Sequence, residues 1–331
     1  PKRRLTTIHR FSNGEAPGQT ALLGSSDIEV TKLCLGTWNM AKGGGWGPDD
    51  DEKAIALIRH ALDTGCTFLD TARGYGGGHA ERLVGQAVAG RREEVVIATK
   101  AVQCPPEQLG NEIEASLDGL QTDYVDLYIC HWPRPSLPLE PFLAEMVRQR
   151  ELGKIRAIGA SNFNLEQMSI ASEFGVVSLQ PPLSILWRIP DPILDFCRQQ
   201  NIALTSYSSL AQGLLTGRYT QGTGEISGVR SKNALFSDDI MPQALKVAER
   251  VDSIADRLGC ASSQVALAWL LRTSGVSSVI VGASRPEQWD ENLGAFDVSL
   301  SDQDYEELDR AGREVWGKVA PDAAMWGWKP E

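Results

Sequence analysis

The chain has 331 residues, a formal net charge of −11, 42% hydrophobic residues, six cysteines and four histidines. Its acidic balance argues against a nucleic-acid or anionic-membrane partner, and no apolar run approaches the roughly 18 residues of a membrane span. Cys34, Cys66, Cys104, Cys130, Cys197 and Cys260 form no CxxC pair, and His9, His60, His79 and His131 form no HxxxH pair, so neither a disulfide framework nor a metal is expected.

The composition is that of a soluble metabolic enzyme with reduced, mostly buried thiols, which places it in the cytoplasm. The start, Pro1-Lys2-Arg3-Arg4-Leu5, is basic without an apolar h-region, so it is not a secretory signal; the remnant of a transit peptide, and with it an organelle, stays open. Residues 1–21 read as an extended N-terminal segment and 22–331 as a single domain.

Leu22 to Val30 carries Gly24-Ser25-Ser26-Asp27 between apolar flanks, which suits a hairpin. A first strand from Thr31 to Leu35 runs into Gly36-Thr37-Trp38. A helix opens near Pro48-Asp49-Asp50 and stops at Gly65. Cys66 to Leu69 is a short apolar strand that places Asp70 where strand becomes loop, with Tyr75 and Gly76-Gly77-Gly78 following.

A helix over Ala80 to Val88 leads to strand Glu94–Lys100, and a helix over Glu107 to Leu120 leads to strand Val125–His131. Asp70, Lys100 and His131 stand thirty and thirty-one residues apart, about one strand-helix unit each. Parallel strands would therefore present all three on one rim.

The pattern continues through helix Pro141–Leu152, strand Ile155–Ser161, helix Leu165–Phe174, strand Val176–Gln180, helix Pro192–Gln199 and strand Ile202–Tyr207. Helices Met241–Leu258 and Ser262–Arg272 precede an eighth strand, Ser278–Gly282. Eight units imply the α/β class, specifically a closed (β/α)8 TIM barrel with its site at the strands' C-terminal ends. Neither Gly43-Gly44-Gly45 nor the Gly76 run has Rossmann spacing, and no Walker A pattern occurs.

With these residues placed, the chain resembles the aldo-keto reductases from about Leu33 to Phe296. The family's tetrad matches Asp70, Tyr75, Lys100 and His131 in order, spacing and flanking sequence. The resemblance implies a hairpin plugging the barrel floor and an oxidoreductase that passes hydride from NADPH to an aldehyde or ketone, reversibly. Tyr75 would be the general acid, Lys100 its cation, Asp70 the partner of Lys100, and His131 the group that orients the carbonyl. A cation at about 4 Å is worth up to ~4 kcal/mol to the phenolate at an effective dielectric near 20, before desolvation losses, which bounds the shift of the phenol pKa at about three units.

The resemblance also implies the cofactor contacts. Ser161, Asn162 and Gln180 match the carboxamide positions, Tyr207 the ring-stacking position, and Ser208, Leu210, Gln212 and Gly213 the pyrophosphate segment; Thr37, Trp38 and Arg218 complete that side. Gly282, Ser284, Arg285, Gln288, Glu291 and Asn292 match the adenosine end. Many members have Lys where Gly282 stands and Arg where Gln288 stands, so the 2′-phosphate preference for NADPH over NADH rests mainly on Arg285.

Trp38, Met40, Trp46, Tyr75, His131, Trp132 and Trp187 are the candidates for an apolar, aromatic carbonyl pocket, with Met325-Trp326-Gly327-Trp328 over its mouth. Trp269 reads as core. Cys130, beside His131 on a strand, should face away from it. The alternative is an NADPH-binding regulatory subunit of the potassium-channel β type. Members of that type carry Asn at the position of His131, so the complete tetrad favours an enzyme. Monomer and homo-oligomer stay equally open.

Overall fold

A computed structural model describes residues 19–41, 47–48, 50–320 and 325. Trp46, the Gly43 run, Trp326 and Trp328 lie outside the described residues.

Strands β1 (Thr20–Leu22) and β2 (Glu29–Thr31) form an antiparallel hairpin. Its first strand starts two residues inside the stretch read as extended. Thr31 was expected to open the barrel; instead it pairs with Thr20, and its hydroxyl bonds the Leu33 carbonyl at 2.8 Å across the turn into β3 (Leu33–Gly36). The barrel strands β3, β4 (Phe68–Asp70), β5 (Val96–Ala101), β6 (Val125–Cys130), β7 (Ile155–Ser161), β8 (Val176–Gln180), β9 (Ala203–Ser206) and β10 (Val276–Val281) follow in spatial order, each parallel to the next, and β10 closes on β3.

The outer ring is α1 (Asp51–Asp63), α2 (His79–Ala87), α3 (Pro106–Leu120), α4 (Leu139–Glu151), α5 (Leu165–Glu173), α6 (Asp191–Gln199), α7 (Met241–Leu258), α8 (Ser262–Arg272) and α9 (Pro286–Leu293). Local chemistry fixes the helix starts: the Asp50 carboxylate accepts from the Lys53 amide, and Asn164 and Gln167 cap α5 reciprocally. A tenth helix, α10 (Asp302–Trp316), was not foreseen from the sequence. It packs so closely that a Cβ at Gly312 would lie 1.8 Å from the Ile185 carbonyl oxygen. Trp187, a pocket candidate from sequence, is buried against Trp316 of this helix with ring centroids 5.0 Å apart, so it does not line the pocket. Trp269 is core, as read, stacked on Tyr305.

Two apolar layers result. One lies between strands and helices. The other fills the barrel, where Leu23, Ile28 and Val30 of the hairpin join Cys34, Phe68, Val96, Leu127 and Ile129. The hairpin therefore plugs the floor, and the site is left to the opposite rim.

The plug fits through Gly24, which has φ +55° and whose absent Cβ would stand 2.3 Å from the Val177 carbonyl oxygen and 2.6 Å from that of Asn201. Gly24→Ala should therefore destabilise the protein by about 1–3 kcal/mol, through overpacking and a strained backbone. Urea denaturation checks this, with the midpoint falling and the slope unchanged.

Candidate active site

The C-terminal ends of β4, β5 and β6 set the site. Asp70 ends β4, Lys100 stands one residue before the end of β5, and His131 follows the last residue of β6. Tyr75 reaches them from the turn after β4, which is anchored by the Arg73 amide donating to the Lys100 carbonyl at 3.0 Å.

Lys100 is fully buried, and its ammonium donates to Asp70 Oδ1 at 2.7 Å, to the Thr71 carbonyl at 2.7 Å and to the Tyr75 hydroxyl at 3.2 Å. Its three hydrogens have three acceptors. The second Asp70 oxygen accepts from Gln180 Nε2 at 2.9 Å. The Tyr75 and His131 rings meet edge to face, with centroids 5.9 Å apart.

Burial acts to lower the Lys100 pKa, but the Asp70 charge, the phenol and the hydrogen bonds to both overcome it, and the net direction is upward. For Tyr75 the desolvation that the sequence bound left out outweighs the cation. Burial is the larger influence and raises the phenol above its ordinary value, while Lys100 offsets only part of that rise. The phenol is thus held protonated. Burial, and after it the Lys100 charge, push the His131 imidazole down to about 3, so it is neutral near pH 7.

A cavity of about 570 Å³ runs from this cluster across the rim to α9. Asp70, Tyr75 and His131 line it, together with Trp38, Trp132, Asn162, Gln180, Tyr207, Ser208, Leu210, Gln212, Gly213, Arg218, Gly282, Ser284, Arg285, Gln288, Glu291 and Asn292. Besides Trp187, three expected contacts do not reach it. Thr37 and Ser161 lie behind the lining, where their hydroxyls donate to the Asp70 and Gln180 carbonyls. Met40 is turned into the outer core, because the single helical turn at Trp38–Met40 points its first and third residues to different faces.

Asn39, Ser209, Thr216, Arg230 and Ser263 line the cavity without having been singled out. Ser209 and Thr216 lie within the segment already matched after β9. Arg230 arrives on a loop without periodicity, its Nε donating to the Gln212 carbonyl at 3.0 Å, and no sequence signal marks it. At Gly282 a Cβ would stand 3.3 Å from the Asn39 amide oxygen, a tight contact, and Asn39 Nδ2 donates to the Ala283 carbonyl at 2.7 Å.

The residues present fit an extended, phosphate-bearing ligand such as a dinucleotide. Both amide atoms of Gln212 and Nδ2 of Asn292 are buried without a hydrogen-bond partner, and such groups are costly unless something pairs them. Arg218, Arg230 and Arg285 supply three guanidinium groups to one cavity of an acidic protein. Tyr207 is held in place by its hydroxyl donating to Asn162 Oδ1 at 2.7 Å, while Asn162 Nδ2 donates to the His131 carbonyl at 3.0 Å. Asn162, Ser208, Ala211 and Gln212 all have left-handed backbones, a concentration of strain typical of functional sites. Cys130 packs in the outer core, and burial pushes its thiol up, so it is no nucleophile.

The sequence model of the Aldo/keto reductase family matches residues 32–313. An NADH-specific methylglyoxal reductase of Escherichia coli (strain K12) is 34% identical over 309 residues, covering 85% of this chain and 94% of its own. Among solved structures, a glycerol dehydrogenase of Gluconobacter oxydans superposes with a TM-score of 0.81 at 30% identity, covering 93% of this chain and 100% of its own. An aldo/keto reductase of Klebsiella pneumoniae in complex with NADP and acetate has a TM-score of 0.71 at 29% identity, covering 88% and 94%.

The neutral His131 makes stability depend on pH. Its folded pKa, about 3, lies below the unfolded value of about 6.5, so acid protonates the unfolded chain first. The stabilising contribution is complete above pH 6.5 and is lost as pH falls toward 3. Urea midpoints at pH 7.5, 6 and 5 should fall along this limb, and His131→Asn should flatten it.

Proposed function

The chain belongs to the aldo/keto reductase family, and we propose that it interconverts aldehydes or ketones with alcohols, using NADPH in preference to NADH. The observation that carries this reading is the buried Lys100 ammonium, 3.2 Å from the Tyr75 hydroxyl at the floor of the cavity. A nicotinamide dinucleotide bound there supplies the hydride.

The protein's own part is to stabilise the oxygen that becomes negative. In this reading Tyr75 holds its proton until the carbonyl oxygen gains charge, then donates it. The phenolate left behind faces Lys100, an interaction worth about 5 kcal/mol at 3.2 Å and an effective dielectric near 20. Burial keeps the phenol protonated beforehand, and the cation makes its deprotonation affordable. Asp70 keeps Lys100 charged and aimed, and Gln180 keeps Asp70 aimed. The neutral His131 ring donates an N–H to the carbonyl oxygen and orients the substrate. Trp38 and Trp132 give the carbonyl end aromatic walls.

Support for NADPH comes from Arg285, two-thirds exposed at the rim, where a forked cation suits a phosphate. Beside it the Gln288 amide oxygen accepts from both the amide and the hydroxyl of Ser284. The NADP held by the Klebsiella structure agrees with this reading, and the NADH-specific relative makes the comparison of the two nucleotides the informative one.

Absorbance at 340 nm with each nucleotide, against a panel of aromatic and aliphatic aldehydes, tests the reading. Tyr75→Phe should lower turnover at least about 100-fold while changing NADPH affinity only a few-fold; equal losses in both would exclude Tyr75 as the donor. Aldehyde-independent binding of NADPH with no turnover on any carbonyl would favour the regulatory-subunit alternative. In a separate titration, Arg285→Ala should weaken NADPH by roughly 10- to 100-fold, as expected for lost charge-assisted hydrogen bonds, and leave NADH nearly unchanged.

A further inference from the structure

Tyr75 sits on a turn that glycine makes loose. Gly76, Gly77 and Gly78 have φ of +61°, +62° and +82° in succession, and such residues lose more conformational freedom on ordering than any others. Yet the Tyr75 hydroxyl must stay within hydrogen-bond reach of Lys100. The turn's backbone bonds are local apart from that of Arg73 to the Lys100 carbonyl: the Tyr75 amide donates to the Ala72 carbonyl, the Ala80 amide to the Tyr75 carbonyl and the His79 amide to the Gly76 carbonyl, both at 3.3 Å, and the Arg82 amide to the Gly78 carbonyl at 3.2 Å.

Two charged side chains outside the tetrad complete the support. Arg73 Nη1 donates to the Gly77 carbonyl at 3.1 Å and stands 3.9 Å from Glu81 Oε2. The guanidinium lies against Gly78, where a Cβ would fall 2.0 Å from Nη1 and 3.4 Å from Glu81 Oε2. Glu81, on α2, has a side chain with no solvent exposure. Its Oε1 accepts from Thr99 Oγ1 at 2.7 Å, which ties it to β5 at the residue before Lys100. Its Oε2 makes no hydrogen bond of ordinary geometry; the Ser116 hydroxyl and the Arg73 guanidinium both act on this carboxyl group. Burial raises the Glu81 carboxyl above its ordinary value, and Thr99, Ser116 and Arg73 act against that rise.

We propose that Arg73 and Glu81 form a strut that fixes the glycine turn against β5 and thereby holds the Tyr75 hydroxyl over Lys100. Both are positioning residues, acting through Tyr75 and touching neither substrate nor cofactor. Thr99 and Lys100 alternate on one strand, so the strut and the ammonium are referenced to the same rigid element. Gly78 is required twice over, for its left-handed backbone and to admit the guanidinium. The strut rests on the reading of Tyr75 as proton donor for its catalytic consequence, but its structural consequence is independent of that reading.

The test uses the full chain as wild type, Arg73→Ala, Glu81→Gln, Arg73→Ala/Glu81→Gln and Tyr75→Phe. Glu81→Gln keeps volume and the Thr99 contact, so it remains informative where a smaller residue fails to fold. Hydrogen exchange followed by mass spectrometry should show the amides of residues 75–80 exchanging at least about tenfold faster in the Arg73 and Glu81 variants, with the rest of the barrel unchanged. In turnover, kcat should fall roughly 10- to 100-fold, as expected when a reacting group is misplaced by about 1 Å, while the Kd for NADPH stays within about threefold. The double variant should be no slower than the worse single variant, and Arg73→Ala should cost nothing further in the Tyr75→Phe background.

Unchanged exchange at residues 75–80 would overturn the strut whatever the kinetics show. Faster exchange with kcat unchanged would overturn its role in placing Tyr75. If Tyr75→Phe itself leaves turnover intact, the proton-donor assignment falls, and the exchange result still decides whether the strut exists.

Discussion

A fully buried ammonium ion is the constraint on which this structure depends. Taking such a charge out of water costs several kcal/mol, and only close, well-aimed partners offset it. Lys100 has three, with Asp70 carrying the opposite charge. Asp70 in turn must be held, and Gln180 from the far side of the barrel occupies its second oxygen. One charge therefore organises side chains from β4, β5 and β8, and the phenol of Tyr75 is drawn to the same point.

The barrel explains how these groups are kept in register. Parallel strands bring Asp70, Lys100 and His131 to one rim, and the hairpin plug closes the other, so the cavity opens at the strands' C-terminal ends. The rigid strand ends hold the charges. The turns hold groups that line the cavity, among them Tyr75 and the left-handed Ser208 and Gln212. Strain and glycine are concentrated where chain direction must serve a contact rather than a fold.

The electrostatics divide the work between acid and cation. Burial alone would leave Tyr75 a poorer acid than a phenol in water, and Lys100 corrects only part of that. In the proposed reaction this suits a group that would carry its proton until charge develops on a neighbouring oxygen. The same burial keeps His131 neutral, so the imidazole presents an N–H without adding a second positive charge beside Lys100.

Much of this was legible in the sequence. Short strand-forming runs ending in Asp70, Lys100 and His131 at regular spacing implied the barrel and its rim, because period and spacing are local properties of the chain. The matched segments after β9 and β10 likewise supplied most of the cavity lining. Other features depended on contacts between distant residues. Met40 and Trp187 looked like pocket residues, but the turn at Trp38–Met40 and the packing of α10 put them in the core. Arg230 reached the cavity from a loop without pattern. The sign of the Tyr75 shift was likewise beyond the sequence, since it is the balance of burial against one nearby charge, and burial exists only once the chain has closed on itself.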